Sequence, residues 1–127
     1  MKGKILICDD EAHIRRLIDQ SLEELEDEGI EIFVTSNGEE AISRIEESHP
    51  DLIILDVMMP KLNGFDVCQR VKSDERFRTA FVMLLTAKGQ EYDRQQGERV
   101  GADRYMTKPF DPDELLEVAR GVFAARG

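Results

Sequence analysis

A chain of 127 residues with 41% hydrophobic content matches one domain of ordinary size with a real core. Its 27 acidic residues against 17 basic ones give a net charge of -10, which disfavours direct binding of a phosphate backbone. No stretch reaches the roughly 18 apolar residues of a membrane span. Met1-Lys2-Gly3-Lys4 runs into a strand too short and too acidic beyond it for a signal peptide, so a cytoplasmic location is expected.

The chain opens on Ile5-Leu6-Ile7-Cys8, an apolar run without polar alternation, as in a strand covered on both faces of a parallel sheet. Strands are expected over about 4–9, 30–34, 51–56, 80–85 and 103–106, with segments of helical period between them. Asp9 and Asp10 follow the first strand. The next segment carries Ile14, Leu17, Ile18, Leu22 and Leu25 on one stripe that should pack on the sheet, with Glu23, Glu24, Glu26, Asp27 and Glu28 towards solvent. Ala41, Ile42 and Ile45 mark a second helix. The run Leu52-Ile53-Ile54-Leu55 ends at Asp56, and Phe65, Cys68 and Val71 mark a third helix after the Pro60/Gly64 turn.

Thr86 ends the fourth strand, Phe81-Val82-Met83-Leu84-Leu85. Gly89, Gly97 and Gly101 punctuate the following segment, where only Tyr92 and Val100 offer large apolar surface, so this helix should be weakly held. Lys108 follows the last strand, Arg104-Tyr105-Met106. Asp111-Pro112-Asp113-Glu114 is a start signal for a final helix bearing Leu115, Val118, Ala119 and Val122. Repeats and linkers are absent from the sequence, so residues 1–127 read as βα units forming one doubly wound parallel sheet. Cys8 and Cys68 lack metal-ligand spacing and read as reduced core residues. His13 and His49 are not expected to be ligands.

In an open parallel sheet the carboxyl ends of the strands line a crevice where ligands bind, and Asp9, Asp10 and Asp56 fall at that edge. Three carboxylates in one crevice repel one another unless a cation or protons offset the charge, and oxygen-rich clusters suit hard cations, magnesium first. The alternative reading is an N-cap at Asp9-Asp10 and a plain strand end at Asp56. Thr86 and Lys108 reach the same edge. A carboxylate nucleophile, a divalent cation, a hydroxyl donor and an ammonium are the parts needed to transfer a phosphoryl group to Asp56. Taken singly, Thr86 also fits a helix cap, and Lys108 before Pro109 also fits an exposed loop.

Asp9-Asp10, Asp56, Thr86-Ala87 and Lys108-Pro109-Phe110, in that order, resemble the signature of the response-regulator receiver domain of two-component signalling, over essentially the whole chain. The resemblance implies a flavodoxin-like five-stranded sheet of order 2-1-3-4-5 with helices on both faces. It implies that Asp56 accepts a phosphoryl group from a phosphohistidine on a sensor histidine kinase or a histidine phosphotransfer protein. Asp10, Asp56 and the backbone carbonyl of Met58 would hold magnesium, for which manganese can substitute, while Asp9 acts through water or by orienting the site. The side chains of Met58, Ala87 and Lys88 would rim it, and Lys108-Pro109 would be a cis peptide.

Tyr105 matches an aromatic position that turns inward as the threonine moves, the alternative reading being a half-buried strand tyrosine. Thr86, Tyr105 and the glycine-punctuated helix would then form a two-state element. Its output surface, residues 89–126, would meet a downstream protein through Arg94, Arg99, Arg104 and Glu114, which also fit solvated charges. Dimerisation through that face is open. The expected activity is that of a switch that catalyses its own phosphorylation and dephosphorylation; a relay shuttle or an unphosphorylated binding module are the alternatives. Magnesium-dependent phosphatases with an aspartyl nucleophile carry an acid two residues further on, where this chain has Met58.

Overall fold

The computed structural model describes residues 2–87 and 91–126, with side chains from 95 onward in the second span. In chain order the elements are β1 (Gly3–Cys8), α1 (Ala12–Ser21), α2 (Glu23–Asp27), β2 (Ile30–Thr35), α3 (Gly38–Ser48) and β3 (Leu52–Asp56). They continue with α4 (Gly64–Ser73), β4 (Phe81–Ala87), α5 (Glu91–Val100), β5 (Arg104–Lys108) and α6 (Pro112–Arg126). The five strands pair in parallel in the order β2-β1-β3-β4-β5.

Alternate residues of each inner strand point to opposite faces, and both faces are covered. Leu6, Cys8, Ile53, Leu55, Val82 and Leu84 face Ala41, Ile45, Phe65, Cys68, Val71 and Val100 of α3, α4 and α5. Ile5, Ile7, Leu52, Ile54, Met83 and Leu85 face Ile18, Leu25, Leu115, Ala119 and Phe123 of α1, α2 and α6, together with Leu22 at the α1–α2 junction. Each fully buried branched side chain contributes about 1.5–3 kcal/mol, which is why unbroken apolar runs build the sheet centre. Both cysteines lie in the first of these layers as free thiols, and burial pushes them up, to about 11 for Cys8 and about 12 for Cys68.

Three details depart from the sequence expectations. The first helical segment divides at Leu22 into α1 and α2, and Leu17 stands 39% exposed because it lies off the line of Ile18, Leu22 and Leu25. Glu24 and Glu28 are held by Arg120 of α6 and are not simply solvated. The last two strands run further than expected, so that Thr86 and Lys108 lie within β4 and β5.

The chain reverses its winding at β1, whose neighbours are β2 on one side and β3 on the other. This is the switch point where a crevice opens beyond the strand ends. Asn63 and Asp66 close a reciprocal capping box at the start of α4. A Cβ on Gly64 would lie 2.4 Å from the Asp56 carbonyl oxygen, so glycine is what lets α4 start against the end of β3. Among the described residues no helix is long and apolar enough to cross a membrane.

Candidate functional site

Asp9 directly follows β1 and is completely buried; Asp56 ends β3 and is 3% exposed. Lys108, at the end of β5, spans the gap between them, its Nζ donating to Asp9 Oδ2 at 2.8 Å and lying 3.2 Å from Asp56 Oδ1. Carboxylate oxygens of Asp9, Asp10, Glu11 and Asp56 all fall within 4.8 Å of one another, with Asp10 and Glu11 on the exposed side. The N-cap of α1 is Glu11, whose side chain makes no cap bond, so neither aspartate is spent as the cap. Asp9 Oδ1 instead accepts the Glu11 amide at 2.9 Å, while its carbonyl accepts from Arg15 at 2.7 Å.

Asp56 is further fixed by the Met58 amide, which donates to Oδ1 at 3.2 Å; the Met58 side chain projects outward, 69% exposed. Thr86 is buried one residue past Leu85, the register partner of Asp56. Ala87 is exposed and pairs in register with Lys108. The Lys108-Pro109 peptide is cis. Lys88 lies outside the described residues.

The electrostatics follow from this packing. Burial, then the charge of Asp9, pushes the Asp56 carboxyl up to about 7 against the opposing pull of Lys108 and the Met58 amide. Burial alone would lower Lys108, but its bond to Asp9 and the charges of Asp56 and Asp9 outweigh that and hold the ammonium above its ordinary range. An oxygen-only donor set, crowded and partly open to solvent, is the chemistry a hard divalent cation requires.

Residues 5–120 match the family of the response regulator receiver domain. The chain belongs to that family. The receiver is 44% identical over 115 residues to the alkaline phosphatase synthesis transcriptional regulatory protein PhoP of Bacillus subtilis, covering 91% of this chain and 46% of that protein. It is 34% identical over 113 residues to Protein PilG of Pseudomonas aeruginosa, covering 89% of this chain and 82% of that protein. The solved chemotaxis response regulator CheY4 of Vibrio cholerae superposes with a TM-score of 0.84 at 30% identity, covering 96% of this chain and 99% of that one. The receiver thus spans about half the length of PhoP but most of PilG and CheY4. The 2-1-3-4-5 sheet is that of the receiver fold.

Sequence reading missed two groups in the crevice. Glu11 lies within 4.8 Å of the aspartates and Arg15 donates to the Asp9 backbone carbonyl, but an acid after Asp-Asp and a basic residue one turn on read as ordinary helix composition. Of the expected output contacts, Arg104 and Glu114 face each other at 3.4 Å and Arg99 donates to Gln96 at 3.3 Å. The side chain of Arg94 lies outside the described residues. Tyr105 is half-buried at the edge of the core, its ring laid against Gly97 of α5.

Proposed function

We propose that this receiver is a phosphorylation-controlled signalling switch with Asp56 as the phosphoacceptor. The observation that carries the reading is Lys108 Nζ held between Asp9 at 2.8 Å and Asp56 at 3.2 Å, at the mouth of a crevice of four carboxylates. An Asp56 carboxylate oxygen would attack the phosphorus of a phosphohistidine; the P–O bond forms, the P–N bond breaks, and the imidazole leaves and takes a proton from water. Lys108 would exchange its bond to Asp9 for a phosphoryl oxygen, and Thr86 would donate its hydroxyl to another.

Asp10, Asp56 and the Met58 carbonyl would hold a magnesium ion, or manganese in its place, with Asp9 acting through water or by orienting the set. When bound, that ion supplies the positive charge that offsets the incoming phosphoryl oxygens. The phosphodonor would be a sensor histidine kinase or a histidine phosphotransfer protein, in keeping with membership of a two-component family. Output would pass through the face made by residues 89–126, where Tyr105 meets α5, to a downstream protein or a second copy of the chain. Residues 1–127 act in this reading as one cytoplasmic receiver domain, and the net charge of -10 argues against nucleic acid as its direct partner.

The test is intact mass after incubation with acetyl phosphate, with and without magnesium. Addition of one phosphoryl group to the wild type only with magnesium, and none to a folded Asp56→Asn, is the expected result. Unphosphorylated wild type under every condition would reduce the chain to a binding module.

A further inference from the structure

We infer that Glu11 is a positioning residue of the crevice: its carboxylate strengthens cation binding and keeps Lys108 at the mouth until a phosphoryl group arrives. The inference rests on reading the crevice as a phosphoryl-transfer site. Glu11 occupies the N-cap position of α1, where the short side chains of Ser, Thr, Asp or Asn ordinarily accept an amide of the first turn and the longer glutamate is not a preferred cap. Its side chain makes no such bond. It crosses the crevice mouth instead, with Oε1 3.8 Å from Lys108 Nζ and Oε2 3.7 Å from His13 Nε2.

The same carboxylate belongs to the set within 4.8 Å that includes Asp9, Asp10 and Asp56. Arg15 of α1 bonds the Asp9 carbonyl, and among the described residues Lys108 is the ammonium shared by the Asp9, Glu11 and Asp56 carboxylates. A fourth like charge raises the repulsion that a divalent cation relieves, so it deepens the attraction for that cation. Glu11 is 52% exposed on its side chain, so solvent screens this contribution and the side chain is free to turn. At 3.8 Å the Glu11 ion pair is the longest of the three contacts Lys108 makes, so it yields together with the Asp9 bond when Lys108 turns to a phosphoryl oxygen.

The experiment is calorimetric titration of the whole chain with magnesium at low salt, for the wild type, Glu11→Gln, Glu11→Asp and Glu75→Gln. Glu75 lies beyond the far end of α4 and removes the same charge away from the crevice. Glu11→Gln is expected to raise the dissociation constant about three- to tenfold, Glu11→Asp to restore most of the affinity, and Glu75→Gln to leave it as it is. In chelator, Glu11→Gln is also expected to melt higher than the wild type, since repulsion is relieved; a merely structural side chain would shift melting the other way. Wild-type affinity in Glu11→Gln, or equal weakening in Glu75→Gln, overturns the inference and leaves the site reading standing. Failure of the wild type to bind magnesium overturns the site reading itself, and the inference with it.

Discussion

At the scale of single residues, Asp56 is where stability and chemistry conflict. A carboxyl pushed up to about 7 by burial and by Asp9 keeps its proton in the native protein up to about that pH and is a carboxylate above it, whereas in the unfolded chain it loses the proton near 4. Between about pH 4 and 7 unfolding therefore releases a proton, so this group makes the protein less stable as pH rises through that window, with no further change above it. Thermal melting in chelator should show that decline in the wild type and a flatter profile in Asp56→Asn; parallel profiles would show that Asp56 is ionised throughout. The raised Lys108 has the opposite character: its contribution is complete below the ordinary lysine range and is lost only in strong alkali. That Asp9, Asp10, Asp56, Thr86 and Lys108 share one edge of the sheet was legible because each sits at or next to a strand end. Glu11 was not, because its approach to Lys108 is made across the fold, from a residue 97 positions away, which the local sequence does not record.

Among the elements, α5 has the least apolar support in its sequence, and the structure gives its central glycine a purpose. A Cβ on Gly97 would lie 2.0 Å from Tyr105 Cε2, so the absent side chain is the space the ring occupies. Glycine inside a helix costs about 1 kcal/mol relative to alanine, and here the packed ring offsets it. Gly97→Ala should therefore destabilise the wild type by roughly 1–2 kcal/mol yet stabilise a Tyr105→Ala background by about 1 kcal/mol. Urea unfolding of the four proteins measures both, and an effect of the same sign in the two backgrounds would rule out the seat. Gly101, at φ 86, ends the same helix in the left-handed region that glycine adopts without strain. The sequence marked both glycines as punctuation; only the fold separates a seat from a stop. Similarly, the Lys72 ammonium joins Arg78 O, Ala80 O and Asp103 Oδ2, tying α4 to the loops that lead into β4 and β5 through contacts up to 31 residues apart.

For the whole molecule, the crevice is an acidic cluster in a chain already at -10, so the native state carries repulsion that a bound cation removes. A ligand that binds only the folded state at one hundred times its dissociation constant stabilises it by about 2.7 kcal/mol. Magnesium should accordingly raise the melting temperature of the wild type, and Asp10→Ala should lose most of that rise; an equal rise in both would move the cation elsewhere. The sequence by itself determined the alternation of strands and helices, the burial of the sheet on both faces, and which acidic, hydroxyl and ammonium groups end the strands, because periodicity and strand ends are local properties. Tertiary structure decided which of those ends meet. It set β1 between β2 and β3, brought Lys108 across 99 residues to Asp9, turned Glu11 over the mouth and laid Tyr105 on Gly97. Those outcomes depend on strand order, register and side-chain rotamers, which the assembled sheet fixes and a short stretch of sequence does not.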